Sequence, residues 1–200
     1  VIRVLLADDE QLIRTALATL VNLEDDVEVV GQAASGPEAV AVARQVQPDV
    51  AVLDLQMPGL DGIEVAAQLR EHVPGCGVVV TGHGRPGHLK RALATGVRGF
   101  LPKTTSAAVL AQVIRTVHAG GRHVDPELAA DAIAAGDSPL TPREADVLEL
   151  AAGGASVEEI AVRASLSPGT VRNYLSAAVQ KLGVTNRHEA VVRAQAAGWI

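Results

Sequence analysis

The sequence predicts an α/β protein. A doubly wound sheet of five parallel strands fills residues 1–119, a linker 120–139, and a small all-helical domain of four helices 140–200. Three observations carry this. Five short apolar runs recur in the first part, at Ile2 to Ala7, Val27 to Ala33, Val50 to Leu53, Gly77 to Thr81 and Gly99 to Leu101. Segments of helical periodicity separate them, and strands alternating with helices of this length give a parallel sheet covered on both faces. After about residue 140 only the helical period remains, punctuated by caps and glycines.

In order, the first run ends on Asp8-Asp9 and is followed by a helical pattern through Leu12, Ile13, Ala16, Leu17 and Leu20. Ser35-Gly36-Pro37-Glu38 opens the second helix with an N-cap and an early proline, and Pro48 ends it. Val50 to Leu53 is too apolar for a surface strand, and it runs onto the carboxylate of Asp54. Met57-Pro58-Gly59 breaks that strand, and Asp61-Gly62 leads into a helix carrying Ile63, Val65, Ala66 and Leu69. Between Gly82 and His88, three glycines and a proline predict an unusually shaped loop that delays the fourth helix. The fifth run passes through Phe100 to Pro102-Lys103, and the fifth helix carries Val109, Leu110, Val113, Ile114 and Val117. The first and fifth helices thus offer broad apolar stripes, which the core needs and which could also form a dimer face. Gly120-Gly121 stops the fifth helix. Asp125-Pro126-Glu127 starts a short Ala-rich helix to about Ala135. This linker reads as a tether; the competing reading is a structural helix docked on the first domain.

Composition narrows the function classes. The 200 residues are 48% hydrophobic and 20% charged, a globular balance able to build two cores. Aromatics are only 2%, so those cores must be made of Ala, Val, Leu and Ile. No run approaches the roughly 20 apolar residues of a spanning helix, and Val1 to Asp9 is too short and too soon acidic for a signal peptide. A cytoplasmic protein without membrane insertion is expected. The single cysteine, Cys76, offers neither a disulfide nor a metal cluster and is expected to be a buried small hydrophobe. Net charge is −3 over 1–119, −3 over 120–139 and zero over 140–200. Any nucleic-acid binding must therefore come from local placement rather than bulk charge.

A lone aspartate at a strand end most often caps a turn. Here the ends of four strands supply Asp8 and Asp9, Asp54, Thr81 and, just beyond the fifth, Lys103. In an open parallel sheet that edge is where ligands bind. Clustered carboxylates repel unless a cation sits among them, and Mg²⁺ would suit two carboxylates, a main-chain carbonyl and waters. It would also neutralise a phosphoryl group arriving on Asp54, with Lys103 pairing its charge and Thr81 donating a hydrogen bond.

Residues 1–119 resemble the receiver domain of two-component response regulators, a flavodoxin-like fold. The likeness lies in Asp8-Asp9, in Asp54 within Asp-x-x-Met-Pro-Gly-x-Asp-Gly, in Thr81, and in Phe100 and Lys103 of Phe-Leu-Pro-Lys. The resemblance implies that Asp54 is the phosphoacceptor, and that Asp9, Asp54 and the carbonyl of Gln56 bind Mg²⁺ directly with Asp8 acting through water. It implies that Thr81 and Phe100 switch, that Gly82 leaves room for the phosphoryl group, and that Gln56 and His83 tune its lifetime.

The tail places two helices in tight succession within a four-helix bundle, the helix-turn-helix layout. Leu140-Thr141-Pro142-Arg143-Glu144 and Ser156-Val157-Glu158-Glu159 cap the first two helices, Ser167-Pro168 begins the third and Asn186 the fourth. The third helix carries Thr170, Arg172, Asn173, Ser176, Gln180 and Lys181 on its polar side. Arginine suits guanine and asparagine suits adenine in the major groove, whereas Thr170, Lys181 and Arg187 are placed for phosphates. A plain solvated face is the rival reading. This segment resembles the LuxR/NarL/FixJ helix-turn-helix domain through Leu-Thr-Pro-Arg-Glu, Glu159-Ile160-Ala161, Thr170-Val171-Arg172 and Lys181-Leu182-Gly183-Val184. Tyr174, Leu23-Glu24-Asp25-Asp26, Arg85-Pro86-Gly87 and Gly198-Trp199 suggest the branch resembling bacterial desaturase regulators, which is linked to membrane-lipid control through a membrane-bound kinase.

The resemblance implies a DNA-binding regulator rather than an enzyme. A sensor histidine kinase would phosphorylate Asp54, and the resulting homodimer would bind double-stranded promoter DNA. A phosphatase with an aspartyl-phosphate intermediate would commonly need a second acid two residues on, where Gln56 stands. A receiver fold gated by a ligand or protein partner without phosphorylation is the alternative, and it would predict a degraded acid set.

Overall fold

The computed structural model describes every residue except 71, 72, 74–76, 83–85 and 135. Cys76 and His83 therefore lie outside the described residues, as do three positions of the 82–88 segment. The chain divides into two compact units, Val1–Gly84 with Arg91–Pro126, and Arg85–Lys90 with Glu127–Ile200. No described helix is long and apolar enough to cross a membrane.

The first unit is an α/β domain on a parallel sheet of order β2-β1-β3-β4-β5-β6. Its strands are β1 (Ile2–Ala7), β2 (Val27–Ala33), β3 (Val50–Asp54), β4 (Val78–Thr81), β5 (Gly99–Pro102) and β6 (His123–Val124). The helices between them are α1 (Gln11–Val21), α2 (Gly36–Val46), α3 (Gly62–Leu69), α4 (Pro86–Ala94), whose residues up to Lys90 group with the second unit, and α5 (Ala107–His118). Six strands replace the five expected. β6 is only two half-buried residues long, too short to leave a hydrophobic run, and it pairs along β5 at Gly99↔His123 and Phe100↔Val124. What looked like tether thus begins on the sheet. α4 starts at Pro86, earlier than the 82–88 composition implied, because proline's fixed φ suits a first helical turn.

Strand alternation sorts the core. Val4, Leu6, Val50, Val52, Val78 and Val80 pack with Ala18, Val21, Leu110, Val113, Ile114 and Val117 of α1 and α5. The α5 stripe is therefore spent on the core, apart from Val109. On α1, Leu12 is 83% exposed and Leu20 46%, so much of that stripe is left outside. All five residues of β3 are buried. The strand order reverses direction between β1 and β3, which opens a crevice at their carboxyl ends. Gly62, the first residue of α3, packs so tightly there that a Cβ would lie 2.3 Å from the Asp54 carbonyl oxygen.

The second unit contains α6 (Pro126–Ala134) and the bundle α7 (Pro142–Ala152), α8 (Val157–Ala164), α9 (Pro168–Leu182) and α10 (Arg187–Ala196). Thr141 with Glu144 and Ser156 with Glu159 form capping boxes, while Ser167 and Asn186 cap α9 and α10. Val147, Leu148, Ile160, Val171, Leu175, Ala178, Leu182, Ala190 and Ala194 make the core, with Trp199 packed against it. Glu144 is only 6% exposed, and Lys181 Nζ meets its Oε2 at 2.8 Å. Burial opposes that charge, yet the Lys181 hydrogen bond and the Thr141 amide together hold the carboxyl below its ordinary value of 4.5.

Two outcomes are expected. Gly62→Ala should lower the stability of the chain by about 1–3 kcal/mol in urea unfolding, because the added methyl must displace backbone. Glu144 stabilises the bundle when ionised, so its contribution is present above pH 4.5 and fades as pH falls through its depressed folded value. The fluorescence of Trp199 should report a urea midpoint that falls below that pH, and falls less in Lys181→Met; equal falls would remove Lys181 from the account.

Candidate functional site

Asp8 and Asp9 follow β1, and Asp54 ends β3, so neighbouring strands bring the three carboxylates to one crevice. One carboxylate oxygen from each lies within 4.8 Å of the others, with Asp8 and Asp54 buried and Asp9 exposed. Lys103, just past β5, reaches in from the other side. Its Nζ lies 3.0 Å from Asp8 Oδ2, 3.0 Å from Asp54 Oδ2 and 3.2 Å from Glu10 Oε1. The lysine's own backbone N–H donates to the Thr81 carbonyl at 2.7 Å, which fixes the loop after β5 against β4.

The electrostatics follow from crowding. Burial first, and the neighbouring Asp8 charge, push the Asp54 carboxyl up to about 6, while Lys103 and the Gln56 N–H pull it down. Burial disfavours the ammonium of Lys103, but its bonds to Asp54 and Asp8 win and raise its pKa above the usual lysine value. Lys103 is bonded to three carboxylates and Asp9 adds a fourth, so the crevice keeps an excess of negative oxygen. Those are the donors a hard divalent ion prefers.

Thr81 is buried at the end of β4, and a Cβ at Gly82 would meet nothing within 4 Å among the described residues. Phe100 is fully buried in β5. Its carbonyl accepts from Asp125 N–H at 3.1 Å, directly after β6. Gln56 is exposed. Sequence reasoning missed Glu10 and Arg14. Arg14 Nη1 donates to the Asp8 carbonyl at 2.5 Å, and the Glu10 N–H to Asp8 Oδ1 at 2.8 Å. The signal available was Glu10 directly after the acidic pair and Arg14 in the first turn of the helix that follows. Asp61 was expected at the helix start, and it forms a capping box with Glu64; its pairing with Arg91 of α4 was not foreseen.

In the helical unit, Arg172, Asn173 and Ser176 are exposed together on α9, where i to i+4 spacing gives one face. Thr170 is half-buried, its Oγ1 2.8 Å from Ser167 Oγ. Lys181 is held by Glu144, and Arg187, opening α10, donates to the Ala155 carbonyl at 3.3 Å. Arg172 Nη2 lies 3.3 Å from Glu158 Oε1. The face is assembled, with each of its cations already engaged.

Comparison with known proteins matches residues 4–115 to the response regulator receiver domain and 138–194 to the bacterial regulatory proteins of the luxR family. The chain is 44% identical to the transcriptional regulatory protein DesR of Bacillus subtilis over 99% of its own length and 98% of that protein. It resembles the solved structure of ChrA, a response regulator of a heme-sensing two-component system, with TM-score 0.58 and 29% identity over 100% of this chain and 98% of that one. It also resembles RcsB in its DNA complex, with TM-score 0.62 and 25% identity over 98% of each chain.

Replacing Lys103 with Met should raise the Asp54 midpoint, followed by carboxyl ¹³C NMR, from about 6 by about one unit or more. The sign is upward because the lysine favours the ionised form. A midpoint that stays put would show that burial alone sets it.

Proposed function

This chain belongs to the LuxR-family response regulators, a receiver domain joined to a luxR-type DNA-binding domain, and on that premise we propose that phosphorylation of Asp54 by a sensor histidine kinase switches its dimerisation and its binding to promoter DNA. We assign 1–119 to the receiver, 120–139 to the linker and 140–200 to the DNA-binding domain. The single observation that carries the reading is the convergence of Asp8, Asp9, Asp54 and Lys103 in the β1/β3 crevice.

In the transfer, an oxygen of the ionised Asp54 carboxylate attacks the phosphorus of a phosphohistidine. The new O–P bond forms as the N–P bond breaks, and the imidazole leaves with the electron pair. Asp54 must be ionised to do this, and Lys103 favours that form. The carboxylate oxygens of Asp8, Asp9 and Asp54 fit Mg²⁺; Asp9, Asp54 and the carbonyl of Gln56 would hold it directly, with Asp8 acting through water. When bound, that ion supplies charge neutralisation for the transferring phosphoryl group. Lys103, already 3.0 Å from Asp54, pairs with the product's charge. Thr81 hydrogen-bonds a phosphoryl oxygen beside Gly82, and the buried Phe100 repacks in response.

Dimerisation matters because 140–200 carries no net charge. One copy has little electrostatic affinity for DNA, and two copies reading half-sites about 34–36 Å apart combine theirs. Arg172, Asn173 and Ser176 of α9 read base edges, while Thr170, Lys181 and Arg187 contact phosphates. The likeness to DesR, together with the desaturase-regulator features in the sequence, directs the reading towards control of membrane-lipid genes by a cytoplasmic protein.

Asp54→Asn should abolish phosphodonor-dependent dimerisation in size-exclusion chromatography and phosphodonor-dependent protection in DNA footprinting. A mutant that footprints as well as the parent with a phosphodonor present would instead favour gating by a ligand or protein partner.

A further inference from the structure

Six acidic residues lie in 140–200, and three of them close helix starts: Glu144 with Thr141, Glu159 with Ser156, and Glu189 with Asn186. Glu158 sits beside Glu159 in the first turn of α8 but is not part of that capping box. It faces α9, with Oε1 3.3 Å from Arg172 Nη2 and the two side chains 67% and 61% exposed. An ion pair this exposed adds little to stability, and the helix dipole would favour an acid here whichever way it pointed. Its location is the informative part. Arg172 leads the exposed polar face of α9, and a carboxylate on a surface that meets phosphates opposes binding. The contact uses Nη2 of a planar fork with five N–H donors. Other donors stay available for the bidentate contact by which arginine reads guanine.

We propose that Glu158 is a positioning residue that sets DNA specificity. It holds Arg172 in orientation for a base edge and withholds it from sequence-blind phosphate contacts. The inference rests on the reading of α9 as the DNA-reading helix.

The test uses the full chain with acetyl phosphate and two probes: a duplex selected by this protein from a random pool, and a random-sequence duplex of equal length. Affinities are measured between about 50 and 200 mM salt. Glu158→Gln should tighten binding to the random duplex about threefold and steepen its salt slope by about 0.9, the signature of one added phosphate contact. Preference for the selected duplex should fall about fivefold or more. Arg172→Ala should lower the same preference. With it in place, Glu158→Gln should change the preference by less than about twofold. Both positions are exposed, so the substitutions leave the core untouched. If Glu158→Gln alters neither slope nor preference while Arg172→Ala lowers preference, the role of Glu158 is overturned and α9 remains the reader. The role is equally overturned if Glu158→Gln acts as strongly without Arg172, since that is bulk charge. If Arg172→Ala changes neither probe, the α9 reading fails and this inference with it.

Discussion

A half-buried ammonium between two buried carboxylates is what the receiver half is arranged around. Lys103 sits 3.0 Å from both Asp8 and Asp54, and taking either acid out of water without it would cost several kcal/mol by the general rule for buried charge. Three strand ends must stay in register for this to work: β1 delivers Asp8, β3 delivers Asp54, and the turn after β5 delivers the lysine. The backbone bond from Lys103 to Thr81 and the tight approach of Gly62 to the Asp54 carbonyl hold that register. The same cluster leaves an excess of carboxylate oxygen, so the constraint that fixes the crevice also leaves it able to take up a cation.

The helical half solves a different charge problem. It has as many acids as bases, and half of its acids are spent at helix starts. Glu144, Glu159 and Glu189 close the first turns of α7, α8 and α10. Glu144 also anchors Lys181, which couples the start of α7 to the end of α9. Arg172, Lys181 and Arg187 are engaged within the domain, so each would meet a polyanion by exchanging partners rather than by offering free charge.

How far the sequence could be read followed the range of the interactions. Strand ends and helix caps are local, so Asp8, Asp9, Asp54 and Thr81 fell on one edge, and Ser35, Thr141, Ser156 and Ser167 all cap the helices they were expected to open. Partners distant in sequence were not legible. Nothing near Glu144 announces Lys181, nothing near Asp61 announces Arg91, and Glu158 gives no sign of Arg172. Exposed and core-facing apolar residues also share one alphabet, which is why α1 and α5 looked alike in sequence although Leu12 faces outward and Val113 is buried. The missing sixth strand has the same origin, since two residues have no periodicity to detect.

That short strand bears on where the first domain ends. Without β6, the outer side of β5 would present a row of open N–H and carbonyl groups beside Gly99, Phe100 and Leu101, a sticky margin that another chain could extend. His123 and Val124 seal it, with His123 N–H on the Arg98 carbonyl at 2.8 Å and Asp125 N–H on that of Phe100. At two residues, β6 is itself too short to template further pairing. A fragment cut at Ala119, where composition draws the boundary, would carry a raw margin and invite aggregation. One extending through Asp125 would carry its own selvedge.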